Sequence, residues 1–153
     1  MEGFAPRDGG YASSMSSGEA LLLRQLASEV LVVLDDPGEC AVTPSVLSAL
    51  TETELRREAP RERSLGMLLP PMSADCEDAA RMRALTEDLL RTEKSARLRS
   101  IIADLDSIVH GGADTLIVRP EAVWSWLGAL NDVRLVLAQR LDIDGPQAAE
   151  ATH

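Results

Sequence analysis

A chain of 153 residues is long enough for one domain with a core and too short for two comfortable ones. Aromatic side chains make up only 3% of it (Trp124, Trp126, Tyr11 and Phe4), which is poor material for a β-sandwich or for a platform on which bases stack. A net charge of −10 works against non-specific binding to DNA, RNA or anionic lipid. The longest apolar run, Val30 to Leu34, cannot span a bilayer, and the N-terminal residues carry no apolar stretch of the kind a secretory signal needs. A cytoplasmic location is therefore expected. The two cysteines, Cys40 and Cys76, lie far apart with no CxxC spacing. They read as reduced thiols, with no metal and no cofactor expected.

Residues 1–15 are rich in Gly and Ser and read as a flexible arm, with a weak extended piece at Tyr11–Met15. Ser16-Ser17-Gly18-Glu19 is a capping box. The helix it opens carries Leu22, Leu23, Leu26, Ala27, Val30, Val33 and Leu34 in one broad stripe, and Asp35-Asp36-Pro37-Gly38 ends it. Thr43-Pro44 opens a second, shorter helix through Leu55. Ser64–Leu69 is a short apolar patch, read as one turn of helix or an extended plug, stopped by Pro70-Pro71.

Ser73 is the expected cap of a long helix reaching Val109, with Gly111-Gly112 beyond it. Its apolar stripe changes side. Met82, Leu85 and Leu89 share one face, and Leu98, Ile101, Ile102, Leu105 and Ile108 share another roughly 150° around, at about 100° per residue. Either the helix breaks near Thr92–Ser95 or its halves meet different partners. The absence of Gly and Pro at the change favours one helix with two sets of partners. Asp114–Val118 is β-like, and Pro120-Glu121 opens a last helix ending near Leu141. The predicted fold is all-α, with four or five helices in one bundle-like domain over 16–143. At most a two-stranded β element, Tyr11–Met15 with Thr115–Val118, accompanies them, and 144–153 is a disordered tail.

The last helix is the most informative. On a helical wheel Val123, Trp126, Leu127, Leu130, Val133, Leu137 and Leu141 define a buried face; Arg134 falls inside it, Asn131 at its edge, and Asp132 points out. A guanidinium on a core face needs a carboxylate, and Glu93, with Glu29 second, is the expected partner. Arg91, Lys94, Arg97 and Arg99 form the one local basic cluster, a weak candidate for a phosphate or an acidic partner. No GxSxG, P-loop, GxGxxG or HExxH occurs. His110 stands at a helix end, where capping is its expected role. No catalytic residue is expected, and the chain reads as a non-enzyme.

Trp126-Leu127-Gly128-Ala129-Leu130-Asn131-Asp132-Val133-Arg134-Leu135, followed by Gln139-Arg140-Leu141, resembles the signature of an actinobacterial family of unknown function. The Glu19–Leu26 and Arg83–Leu89 segments are similar as well, so the resemblance covers about residues 10–143. It implies a small cytosolic protein, often encoded beside a Clp-protease adaptor, and so a link to proteolysis or stress regulation. It carries over no catalytic residue. Members commonly continue with a further Trp/Leu-rich helix where this chain has Asp144-Gly145-Pro146-Gln147. Its absence would leave apolar surface uncovered. The expected function is a helical protein-interaction or regulatory module. Its binding candidates are Trp124, Asn131, Arg134 and Leu135, serving a homodimer or another protein. The alternative is a transcriptional regulator, for which the Arg91–Arg99 segment would have to be the recognition helix.

Overall fold

The structure is a computed structural model and describes residues 2–35 and 57–143. The predicted helix at Thr43–Leu55, Cys40 and the predicted tail at 144–153 lie outside the described residues. Four α-helices run through the described chain: α1 (Ser17–Leu34), α2 (Arg63–Leu68), α3 (Cys76–Gly111) and α4 (Val123–Arg140). Three strands accompany them: β1 (Ala5–Arg7), β2 (Gly10–Ser14) and β3 (Thr115–Val118). The protein is mostly helical, and its sheet is three-stranded rather than two-stranded.

Local chemistry accounts for the helix ends. The Ser16 N–H and hydroxyl both donate to Glu19 Oε2 at 2.9 Å, and the Glu19 N–H returns to Ser16 Oγ, which is the capping box of α1. Glu62 caps α2 by accepting the Leu65 N–H at 2.8 Å. At α3 the cap is Asp75, not Ser73. Asp75 Oδ1 accepts the N–H groups of Glu77 and Asp78 at 2.9 and 3.0 Å, while Ser73 Oγ accepts only the Asp75 N–H. A carboxylate is the better acceptor at the positive end of a helix. Gly112, at φ 70°, follows α3, the left-handed exit that glycine supplies.

The contacts divide the chain into two compact units. The first is Met1–Val32 with Lys94–Arg134, and the second is Val33–Glu93 with Leu135–His153. The first unit contains the sheet, in the order β1-β2-β3 and antiparallel throughout. Ala5–Ser14, expected within a flexible arm, forms a hairpin turned at Asp8-Gly9, with Gly9 at φ 91°. Register places Tyr11 opposite Val118 and Ser13 opposite Leu116. Alternation therefore puts Leu116 and Val118 on the buried face and Ile117 on the other. Gly10 has φ 147°, and a Cβ there would lie 2.2 Å from the Val118 carbonyl oxygen, so only glycine lets β2 approach β3 this closely. Its apolar interior is built from Met15, Ala27 and Val30 with Leu98, Ile101, Leu105 and Ile108 of α3.

The second unit buries charge. Glu87 is 3% exposed and lies among three guanidinium groups. Arg91 donates through Nε and Nη2 to Glu87 Oε1 at 3.1 and 3.0 Å, and through Nη1 to the Leu34 carbonyl at the end of α1. Arg57 Nε lies 3.2 Å from Glu87 Oε2 while its Nη1 reaches Asp88 at 2.7 Å. Arg83 Nε is 3.8 Å from Glu87 Oε2. Leu65, Leu68, Leu69 and Val136 supply the apolar part of this interior, and the short patch near Ser64 is the helix α2. The predicted burial of Met82, Leu85 and Leu89 is corrected here. Leu85 and Leu89 are 73% and 70% exposed, and Met82 is exposed with them.

A candidate interaction surface on the last helix

Pro120 starts a 3-10 turn, Pro120–Ala122, that leads into α4. Its missing N–H costs nothing at a helix start and its φ is already helical. The inner face of α4 holds Trp126, Ala129, Asp132, Val133 and Val136, all buried. Three of its contacts hold it to α3 within the first unit. The Trp126 indole N–H donates to Asp104 Oδ2 at 2.9 Å. Lys94 Nζ donates to Asp132 Oδ1 at 2.6 Å, with Asp132 only 1% exposed. A Cβ at Gly128 would meet the Arg97 side chain at 2.9 Å. The segment that carries the family resemblance is therefore a helix-docking device.

Two sequence-based expectations are overturned by this geometry. Asp132, expected to point out, is buried against Lys94. Arg134, expected inside the core with Glu93, is exposed, and its Nη2 donates to Asn131 Oδ1 at 2.9 Å on the same exposed face. The reason is that the buried face of α4 is centred on Ala129 and Val133 rather than on Leu127 and Leu130. A buried ion pair rotated the helix away from the face that hydropathy alone favours. The basic cluster fares similarly. Arg91 is committed to Glu87 and Lys94 to Asp132, while Arg97 is half-buried against Gly128 and Arg99 is exposed. His110 is exposed, 3.7 Å from Asp106.

The outer face of α4 carries the remaining candidates. Trp124 is 80% exposed and Leu127 is 52% exposed, and Asn131 and Arg134 continue the same stripe at helical spacing. Leu135 stands beside this stripe and is half-buried. One side of the stripe opens on an apolar groove of about 210 Å³, walled by Phe4, Tyr11, Val118, Val123, Trp126, Leu127 and Leu130. Tyr11 of β2 and Phe4, just ahead of β1, are two of its seven lining residues, so part of the N-terminal segment expected to be a loose arm lines the groove. The Asp8-Gly9 dipeptide was the signal that could have revealed them, since Asp-Gly marks a two-residue hairpin turn. The exposed Trp124 thus stands near an apolar groove, with the exposed Arg134 further along the same helix. Among the described residues, no group of three His, Cys, Asp or Glu side chains is placed to hold a metal ion. No helix of the described residues is long and apolar enough to cross a membrane.

The family described as a domain of unknown function, DUF2017, matches residues 1–153, and the chain belongs to it. The chain is 26% identical over 159 aligned positions to the oxidative stress regulator AosR of Mycobacterium tuberculosis, and equally to that of Mycobacterium bovis; the match covers 94% of this chain and 71% of each relative. No solved structure matches the chain.

Proposed function

We propose that this protein is a non-enzymatic regulator of the response to oxidative stress, acting in the cytoplasm through a protein bound on the outer face of α4. The observation that carries the binding surface is Trp124, held in solvent beside an apolar groove by a helix whose opposite face is fully engaged. A large side chain kept in water gains when a partner covers it, by ~1.5–3 kcal/mol for one such group. The stress role is supported by the similarity to the mycobacterial regulators. The commitment of Arg91 and Lys94 inside the fold favours a protein partner over DNA, because a recognition helix must present its cations outward. A link to proteolysis rests on the family resemblance.

The test is complementation of a deletion strain challenged with hydrogen peroxide. The wild-type chain is expected to restore survival, and Trp124→Ala combined with Leu127→Ser is expected to fail while keeping wild-type helicity by circular dichroism. Full rescue by that double variant would remove the surface from the proposal. A deletion strain as tolerant as its parent would remove the stress role.

A further inference from the structure

We infer that the protein bound on this face is a second copy of the same chain, with its α4 lying antiparallel across α4. The inference rests on the reading of the α4 face as a protein-binding surface and names its occupant. The outward stripe runs Glu121, Trp124, Leu127, Asn131, Arg134, so it begins acidic, is apolar in the middle and ends basic. Such an order is complementary to its own reverse. A two-fold axis between Leu127 and Gly128 sets Glu121 against the partner's Arg134, Trp124 against the partner's Asn131, and the two Leu127 side chains beside each other. At about 1.5 Å of rise per residue, each Glu121–Arg134 pair stands about 10 Å from the axis, and symmetry makes two of them.

The groove supports the same occupant. Leu127 and Leu130 belong to its wall, and they lie within one helical turn of Asn131. The residue that antiparallel packing brings there is the partner's Trp124, whose indole is the large exposed side chain available to fill it. Glu121 is free to turn toward the partner, because its 3.5 Å pair with Arg119 joins two well-exposed groups, and such pairs hold weakly. The net charge of −10 opposes association only weakly, since charges more than about 8–10 Å apart are largely screened at physiological salt, and the stripe itself holds one charge of each sign. Two exchanged indoles, each covering ~150–250 Å², with Leu127 between them, make a small interface of the weak, reversible class.

The decisive experiment is sedimentation equilibrium of the full chain and of charge-reversal variants at exposed sites. The wild type is expected to pass from monomer to dimer between about 1 and about 100 μM, the range in which an interface this small associates. Glu121→Arg and Arg134→Glu are each expected to weaken the dimer at least about tenfold by placing like charges opposite each other, and the double reversal to restore it to within about threefold. Trp124→Ala is expected to abolish it. A wild type that stays monomeric across this range overturns the inference, as does a double reversal that fails to restore what the singles lose, or a dimer indifferent to all four variants. A monomeric wild type whose Trp124→Ala, Leu127→Ser variant still fails against peroxide would leave the protein-binding reading standing and remove only the second copy.

Discussion

The two halves of α3, one in each unit, bury opposite chemistry. From Leu98 to Ile108 the inward residues are Leu98, Ile101, Leu105 and Ile108, and each is fully covered. From Ala79 to Arg91 the inward residues are Ala79, Arg83, Glu87 and Arg91, at steps of four. In this half the apolar stripe and the buried face are different faces of the helix. Where Met82, Leu85 and Leu89 face water, an ionic network has taken the place of an apolar core. Periodicity reports where the apolar residues are, and it reports the inside only when the inside is apolar. The expectation of one unbroken helix is correct; the expectation that its two stripes both face inward is not.

The largest effect is expected where the network has one anion for several cations. Glu87→Ala leaves Arg57 and Arg91 buried without their shared carboxylate and is expected to cost ~4–5 kcal/mol by urea denaturation. A loss under about 1 kcal/mol, the range of exposed pairs, would mean that water reaches these guanidinium groups and that the two halves of α3 do not differ as described. In the apolar half, Ile101→Ala removes a fully buried side chain and is expected to cost ~3–4 kcal/mol through lost transfer energy and the cavity left behind.

Asp132→Ala tests the ion pair that orients α4. Lys94 keeps partial access to solvent, with 17% of its side chain exposed, so it can re-hydrate and the expected loss is smaller, ~2–3 kcal/mol. Gly10→Ala, with a backbone oxygen in the way and a left-handed φ, is expected to cost ~2 kcal/mol. At the bottom of the scale stands Leu89→Ser, on the exposed stripe of α3, expected to change stability by less than about 0.5 kcal/mol. Setting it beside Ile101→Ala, on the same helix, is the sharpest form of the comparison. Equal losses would show that the stripe at Leu89 is covered after all.

Of the candidate site, Trp124 was legible as a binding candidate, and it is exposed. Asn131 and Arg134 were singled out on a misplaced face and stand in the site for another reason, that they follow Trp124 at helical spacing on the outside. The pairing of Tyr11–Met15 with Thr115–Val118 was legible and is observed between β2 and β3; Phe4 was not, because its place depends on β1, a strand of three residues, too short for alternation to register above composition.

What the sequence determined by itself is what four neighbouring residues can decide: the capping box at Ser16–Glu19, the glycine exit of α3, Pro120 ahead of α4, and the helical character between them. These rest on contacts from i to i+4, so they are written locally. Which side of α3 and of α4 faces inward was decided by the tertiary structure alone. Arg57 meets the buried Glu87 from 30 positions away and Lys94 meets Asp132 across 38. A buried charge is tolerable only with its partner in place, so hydropathy assigned those charges to solvent, and the folded chain, which supplies the partner from far along the sequence, placed them inside.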